Sequence, residues 1–208
     1  MLEQPVFALT DPHRIDALVR EHPWCVLVSA HPDGPVVSHL PVLLDPDAPA
    51  GSGTVVGHVA RADARLHALG EHDVVVVVQG PHGYLSPSWY GEVPHVPTWD
   101  FEVLHLHGRP ELLDATGTYA VLDATVAHFE RRLPRPWRLD AVDDYAHRIA
   151  GGTTGFRLRP SRVVAKAKLS QDESVELRRR VVEELRHEHP YRNPALADAV
   201  AGTLAATS

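Results

Sequence analysis

Hydrophobic and polar positions follow two different periods along this chain, and each stretch of constant period predicts one element. Ile15, Leu18 and Val19 recur at the spacing of one helical face, whereas Leu104 and Leu106 alternate with polar residues as on a strand. The patterns predict strands over 24–30, 36–44, 54–60, 74–79, 98–109, 155–158 and 162–169. They predict helices over 11–21, capped by Thr10, over 63–69, from the cap Asp114 to 132, and over 141–150. Two further helical segments follow Ser170. This order predicts an α+β fold, a six- or seven-stranded antiparallel barrel with peripheral helices.

Turns and loops separate these elements. HPDG at 31–34 predicts the turn of a hairpin whose second strand is interrupted at Pro41. Residues 80–97 predict a long loop, in which Trp89, with Trp99 nearby, suits the wall of a pocket for a flat ring. A loop held to the core by its aromatic side chains is equally common. The two serines of the SPSWY segment lack the G-x-S-x-G setting of a hydrolase nucleophile.

Composition limits the class of protein. The chain has 208 residues and a formal net charge of -7, which suits one globular domain and is poorly suited to nucleic acid. We expect a domain over 1–172 with a helical extension over 173–208. Arg178, Arg179 and Arg180 share a stretch with Glu173, Glu176, Glu183 and Glu184, which indicates a solvated mixed-charge helix face. No segment resembles a signal peptide or a membrane span, so we expect a cytoplasmic protein without membrane contact.

Cysteine and histidine give no sign of a metal site. Cys25 is the only cysteine, and its apolar neighbours predict a buried thiol within a strand. His105 and His107 share a strand face, but no H-x-x-x-H or H-x-x-E-H spacing accompanies them. We therefore predict no metal and interpret most of the fifteen histidines as surface residues.

Two segments carry candidate chemistry. In GHVARAD at 57–63 a strand runs into a helix, so backbone N–H groups and the positive end of the helix dipole meet beside Arg61, as in a phosphate site. The alternative is that Asp63 caps the helix and Arg61 is solvated. In AKAKLSQ at 165–171, Lys166 and Lys168 share a strand face and could hold an anion, or be two independent solvated lysines.

The set of motifs resembles the FMN-binding negative transcriptional regulator family, often called PaiB-like. The matching segments are DG at 33–34 with HLP at 39–41, GHVARAD where the family has GHVARAN, QGP at 79–81, YLSPSWY at 84–90, VPTWDF at 96–101 where it has VPTWNY, H-x-H-G at 105–108, and KLSQD at 168–172 where it has KLSQN. They occur in order from about Glu21 to Asp172.

The resemblance implies a split β-barrel, a homodimer and one FMN at each subunit junction, with Arg61 and the N–H groups of residues 60–63 facing the phosphate. The cofactor-binding residues that it implies are His39, Leu40, Pro41, His58, Val59, Ala60, Arg61, Asp63, Gln79, Trp89, Trp99, Lys168, Ser170 and Gln171. Lys168, Ser170 and Gln171 are expected to close over the polar edge of the flavin.

The chain departs from the family pattern at three places. Asp63 and Asp172 replace asparagines, and a carboxylate near a dianion weakens phosphate binding unless it points away. The loop GEVPH at 91–95 stands where the family has a longer insertion with a lysine, which predicts a more open pocket mouth. GGTTGFRLRP at 151–160 replaces an apolar stretch and predicts a different dimer contact.

Three classes of function remain open. The first is a flavoprotein that exchanges electrons with a small molecule or electron donor. The second is a non-enzymatic transcriptional regulator or sensor that binds FMN. The third is a split-barrel protein that binds haem or a deazaflavin. No side chain is identified as a catalytic acid or base.

Overall fold

The computed structural model describes residues 1–91 and 94–205. Its strands are β1 (Trp24–His31), β2 (Gly34–Leu44), β3 (Val55–Ala60), β4 (Val74–Leu85), β5 (Thr98–Gly108), β6 (Glu111–Leu112), β7 (Thr153–Leu158) and β8 (Arg162–Lys168). Its α-helices are α1 (Pro12–Glu21), α2 (Arg61–Leu66), α3 (Ala115–Glu130), α4 (Asp143–Ala150), α5 (Val175–Arg186) and α6 (Pro194–Ala205). Short 3₁₀ helices lie at Pro5–Phe7, Pro87–Trp89 and Leu139–Val142.

The strands form one antiparallel sheet in the order β6-β7-β3-β2-β1-β4-β5-β8. This arrangement confirms the antiparallel split β-barrel with peripheral helices, an α+β fold. The predicted number of six or seven strands is wrong, because the described residues form eight. The extra strand, β6, has two residues, which is too short for any periodic signal.

The backbone forms two compact units. The terminal unit comprises Met1–Thr10, Gln79–Leu104 and Val164–Ser208, and the mid-chain unit comprises Asp11–Val78 and His105–Val163. The division into 1–172 and 173–208 expected from the sequence remains a prediction, and residues 206–208 lie outside the described residues. No helix in the described part of the chain combines the length and apolar character that a membrane crossing requires.

The first helix and the hairpin follow from local chemistry. Asp11, rather than the predicted Thr10, caps α1, because its side chain accepts a hydrogen bond from the N–H of His13. The hairpin turns as predicted, with Gly34 at a φ of +119° that disfavours other residues. Pro41 does not interrupt β2, since it pairs with Trp24 at the far end of the β1 ladder.

The predicted long loop is shorter than expected. β4 continues to Leu85, which is fully buried, so the first part of GPHGYLSPSWY is strand and not loop. The predicted GEVPH loop includes Glu92 and Val93, which lie outside the described residues. In β5 the alternation is confirmed, since Leu104 and Leu106 are fully buried, whereas the neighbouring histidines are half-buried.

Each unit has its own apolar interior. In the mid-chain unit the fully buried side chains include Leu27, Val42, Phe156 and Leu158. In the terminal unit one cluster joins α5 and α6 to β4 and β8, through Leu85, Leu169, Leu177, Val181, Leu185, Leu196 and Val200. Burying each such side chain stabilises the fold by about 1.5–3 kcal/mol. The C-terminal helices are therefore part of a core and not a detached tail.

Candidate functional site

GHVARAD makes the predicted transition from strand to helix, two residues earlier than expected. β3 ends at Ala60, which occupies the N-cap position without a side-chain cap, and α2 begins at Arg61. Asp63 therefore lies within the first turn and does not cap the helix, whereas Arg61 is exposed, as the solvated alternative expects. The backbone N–H of Arg61 donates to the carbonyl of Gly152 at 2.8 Å.

The side chain of Arg61 is the unpaired cation of this segment. Its guanidinium has no hydrogen-bond or ion-pair partner among residues 1–91 and 94–205. It lines a cavity of about 410 Å³ in the mid-chain unit, together with residues from the start of α3, the end of α4 and the start of β7. The other lining residues are Leu113, Asp114, Ala115, Thr118, Tyr119, His147, Ala150, Gly151, Thr153 and Thr154.

The strand residues before Arg61 point in alternate directions. Val59 is buried, whereas His58 is half-buried and pairs with Gly155 of β7. Burial lowers the pKa of His58, so the ring is neutral near pH 7. Its Nδ1 atom is buried and has no hydrogen-bond partner in the described part of the chain. His58 therefore carries no positive charge near pH 7, and it does not line the cavity next to Arg61.

The wall of the cavity includes a pair of aromatic rings that the sequence analysis missed. Tyr119 stacks on His147 with ring centroids 3.7 Å apart and an interplanar angle of 9°. The Tyr119 hydroxyl donates to Oδ1 of Asp143 at 2.9 Å, and Nε2 of His147 lies 3.5 Å from the same oxygen. Partial desolvation and this carboxylate raise the pKa of Tyr119. The one available signal was the i, i+4 spacing of Asp143 and His147.

The HLP segment lies on β2 of the same unit. His39 is exposed and pairs with Val26, whereas Leu40 is buried and pairs with Cys25. Cys25 is 1% exposed within β1, which confirms the predicted buried strand thiol, and burial raises the pKa of this thiol to about 12. Pro41 is half-buried at the end of the ladder.

A second histidine missed by the sequence analysis lies in the core of this unit. His67 is fully buried, with Nδ1 2.8 Å from the Ser29 hydroxyl and Nε2 2.9 Å from the Ser38 hydroxyl. Burial lowers its pKa and outweighs the opposing effect of Asp63. Because both ring nitrogens have partners, His67 has a structural role.

In the terminal unit the KLSQD segment is bound to Asp100 of VPTWDF. Nζ of Lys168 lies 2.8 Å from Thr98 Oγ1, 2.8 Å from the carbonyl of Trp99 and 3.1 Å from Asp100 Oδ1. An ammonium group has three N–H donors, so these three acceptors occupy all of them. The ammonium is also 6.0 Å from the centroid of the Phe7 ring, and that of Lys166 is 5.5 Å from the same ring.

Ser170 and Gln171 of the same segment also have hydrogen-bond partners within the protein. Ser170 has a φ of +58° and donates its hydroxyl to Asp100 Oδ2 at 2.6 Å. Gln171 donates to the carbonyl of Ala167 and accepts from the N–H of Leu169, both at 2.6 Å. Asp100 is fully buried, and burial raises its pKa despite the hydrogen bond from Ser170 and the nearby Lys168. Asp172 is exposed.

The aromatic residues of the loop have two different environments. Trp89 is half-buried, packs against the α5 and α6 core and lies 5.3 Å from the His189 ring. Trp99 is 54% exposed and faces the ring of His82, with centroids 6.1 Å apart. Gln79 is exposed, with its amide nitrogen 3.4 Å from His82 Nδ1. Trp99 thus keeps the free face that a ring pocket needs, whereas Trp89 anchors the loop.

The structure therefore distributes the predicted site residues over the two units. The mid-chain unit holds His39, Leu40, Pro41, His58, Val59, Ala60, Arg61 and Asp63, and the terminal unit holds Gln79, Trp89, Trp99, Lys168, Ser170 and Gln171. Within the terminal unit, Lys168 and Ser170 meet at Asp100. The described residues contain no group of three or more side chains that could hold a metal ion.

Comparison with known proteins supports a flavin-binding family. A family model described as "Putative FMN-binding domain" matches residues 1–162. Protease synthase and sporulation protein PAI 2 of Bacillus subtilis is 27% identical over 184 residues, which cover 88% of this chain and 87% of that protein.

Two solved structures share the fold. The flavocytochrome Anf3 of Azotobacter vinelandii aligns with a TM-score of 0.55 and 19% identity, over 77% of this chain and 69% of that chain. The FAD and heme binding protein of Mycobacterium smegmatis aligns with a TM-score of 0.56 and 17% identity, over 81% of this chain and 77% of that chain. These two likenesses show the fold, and the family model shows the relationship: the chain belongs to the FMN-binding domain family, and it is a PaiB-like protein.

Proposed function

We propose that this protein binds FMN and that the GHVARAD segment holds the phosphate of the cofactor. The observation that carries the proposal is the Arg61 guanidinium, which has no partner among the described residues and lines a cavity of about 410 Å³. Family membership supports the choice of a flavin nucleotide. A guanidinium in this position can form charge-assisted hydrogen bonds to phosphate oxygens.

The other ionisable groups near Arg61 are neutral or negative, so phosphate binding would depend on the Arg61 side chain. His58 is neutral because burial lowers its pKa. Asp63 lies in the first turn of α2, and Asp114 lines the cavity. Both carboxylates oppose a bound dianion, and the N–H of Arg61 is already bonded to Gly152. The first-turn N–H groups of Ala62 and Asp63 are those that a helix leaves without an internal acceptor.

Bound FMN would supply electron transfer, and the protein would supply binding and the polar surroundings of the ring. We propose that the protein is a flavin-dependent redox protein or a flavin-binding regulator. We further propose that it acts in the cytoplasm, because its single cysteine is buried and free, so the fold has no disulfide that would need an oxidising compartment. Binding of nucleic acid by α5 is disfavoured by its contacts. Arg178 is buried and bonds to Thr203, Arg180 bonds to Glu176, and Arg186 bonds to Asp198.

Absorbance spectra of the purified protein, taken before and after addition of FMN, FAD or haem, test the choice of cofactor. We expect the flavin bands to shift on binding of FMN and the affinity for FMN to exceed that for FAD. One protein of the same fold is an FAD and heme binding protein, so both ligands are necessary comparisons. A protein that binds haem and leaves the FMN spectrum unchanged would contradict the proposal.

Asp63→Asn should tighten FMN binding about fivefold. The substitution removes a negative charge near the proposed phosphate, and two charges a few ångströms apart in water interact by about 1 kcal/mol. Riboflavin, which has no phosphate, should bind the variant and the original protein equally. Fluorescence titration with both ligands measures the difference. Weaker FMN binding by the variant would instead identify Asp63 as a residue that orients Arg61.

We also propose that the protein is a homodimer whose cofactor site needs both subunits. In the mid-chain unit, Tyr145 and Ile149 of α4 lie four residues apart and are each 53% exposed. Trp137 and Leu133 of the preceding segment are also exposed. Exposed apolar side chains on one face of a helix are typical of an interface between proteins.

Light scattering at micromolar concentration should give the mass of a dimer. Ile149→Glu, which places a charge on the exposed α4 face, should shift the protein towards monomer and weaken FMN binding at the same time. Ala195→Glu, at an exposed position of α6 in the terminal unit, adds the same charge and provides the control. A monomer that retains FMN would exclude a shared site.

A further inference from the structure

A second cavity of the mid-chain unit lies away from Arg61 and has a different chemical character. It has a volume of about 390 Å³ and is lined by the end of α1, the end of β2 and one face of α3. The lining residues are Val19, Arg20, Leu43, Leu44, Pro46, Ala124, Ala127, His128 and Arg131. This volume is within the range of small-molecule pockets, which begins at about 300 Å³.

The sequence of α3 explains why space remains here. Ala124, Ala127, His128 and Arg131 follow the i, i+3, i+4, i+7 spacing of one helical face. The two alanines are too small to fill the gap towards Leu43 and Leu44 of β2. The walls are mainly aliphatic, and His128 supplies the one ring among the lining residues, so a flat ligand could not be held between two aromatic rings. A flexible aliphatic chain is the shape that such walls accommodate.

The rim of the cavity carries positive charge that the protein does not neutralise. Arg20 and Arg131 come from different helices, and neither guanidinium has a hydrogen-bond or ion-pair partner in the part of the chain that the structure describes. Each lies at the C-terminal end of its helix, where the dipole contributes about half a negative charge. The two guanidinium groups carry two full positive charges, which exceed the two half negative charges of the helix ends, so the rim stays positive.

His128 adds a polar atom without adding another charge. Its Nε2 atom is buried and has no hydrogen-bond partner among the described residues. Burial, with the neighbouring Arg131 and Arg132, lowers the pKa of His128, so the ring is neutral near pH 7. The cavity therefore combines mainly aliphatic walls with two unpaired guanidinium groups, and His128 is a neutral ring in its wall.

We propose that this cavity binds an aliphatic monocarboxylate of medium chain length, with the carboxylate between Arg20 and Arg131 and the chain against Leu43, Leu44, Ala124 and Ala127. A carboxylate matches the planar fork of a guanidinium. The cavity does not include Arg61 or any other predicted FMN-binding residue. The proposal is therefore independent of the proposed flavin function.

Calorimetric titration of the full chain with octanoate tests the proposal. Octanol, which has no charge, and octylammonium, which has the opposite charge, serve as ligands of the same chain length. We expect octanoate to bind at least tenfold more tightly than either. Shortening the chain to hexanoate should weaken binding roughly tenfold or more, because each buried methylene contributes about 0.8 kcal/mol.

Four variants test the separate parts of the site. Arg131→Gln should weaken octanoate binding about tenfold or more by removing a charge-assisted hydrogen bond, whereas Arg132→Gln, at the next position, should have no effect. Ala127→Leu should fill the cavity and block octanoate, with an unchanged unfolding temperature as the check that the variant folds. Arg61→Ala should bind octanoate normally, whatever it does to FMN.

Several results would overturn this assignment. They are no octanoate binding at millimolar concentration, equal binding of octanol or octylammonium, or equal affinities of the Arg131→Gln and Arg132→Gln variants. Folded Ala127→Leu protein that still binds octanoate would place the ligand elsewhere.

Discussion

Replacing Arg61 with alanine is expected to weaken FMN binding about ten- to hundredfold and to leave riboflavin binding nearly unchanged. The substitution removes a charge-assisted hydrogen bond to the phosphate, worth roughly 1.5–3 kcal/mol. Riboflavin has the same ring system without the phosphate, so it does not form the lost contact. Parallel fluorescence titrations with the two ligands give the ratio directly.

Arg65→Ala is the matched control for this experiment. Arg65 lies in the same helix and is exposed, but it does not line the cavity next to Arg61. Its substitution changes the net charge equally and should alter FMN affinity only slightly. If Arg61→Ala weakens FMN and riboflavin binding equally, the phosphate is bound elsewhere in the protein.

The change of period from β3 to α2 could be predicted from the sequence, because it depends on residues next to one another. The N-cap was misplaced because Ala60 caps α2 without a side-chain hydrogen bond, which leaves no signature in the sequence. The cavity beside Arg61 could not be predicted. Its walls come from Tyr119 and His147, which follow Arg61 far along the chain, and their stacking depends on how α3 and α4 pack.

Among the strands, too, the features that depend on neighbouring residues were predicted, and those that depend on tertiary pairing were not. Long alternating or apolar stretches, such as β1 and β5, were predicted within a few residues. The extension of β4 through Gly80 and Pro81 was missed, because these residue types usually indicate a loop and only pairing within the sheet keeps them extended. Pro41 misled the prediction of β2 for the same reason.

In KLSQD the sequence identified hydrogen-bond donors but not the partners that they have in the structure. Lys168, Ser170 and Gln171 were expected to donate hydrogen bonds to a flavin. In the structure Lys168 and Ser170 donate to Asp100, which lies far earlier in the chain, and Gln171 donates to Ala167. Hydrogen-bond donors can be recognised in a sequence, whereas the acceptors that occupy them depend on tertiary structure. A contact of this segment with the cofactor remains a prediction.

Replacing Lys168 with methionine should lower the free energy of unfolding by about 3–5 kcal/mol near pH 7. The substitution leaves the fully buried Asp100 carboxylate without its cationic partner, and an uncompensated buried charge is costly. Asp100→Asn, which restores the asparagine of the VPTWNY motif, removes that charge. The double variant should therefore recover most of the lost stability, as measured by urea unfolding at equilibrium.

The way in which the stability loss of Lys168→Met depends on pH distinguishes an unpaired buried charge from a simple loss of packing. Burial raises the pKa of Asp100 above its ordinary 3.8, so the folded state binds a proton more readily than the unfolded state. The stabilising contribution of this group is therefore complete below about pH 3.8 and is lost as the pH rises through the folded-state pKa. Removing Lys168 raises that pKa further. The stability deficit of Lys168→Met relative to the original protein should thus be smallest in acid and grow towards neutral pH, and variants that carry Asp100→Asn should lack this dependence. A deficit that is equal at all pH values, or that Asp100→Asn does not relieve, would show that Lys168 stabilises the protein through packing alone.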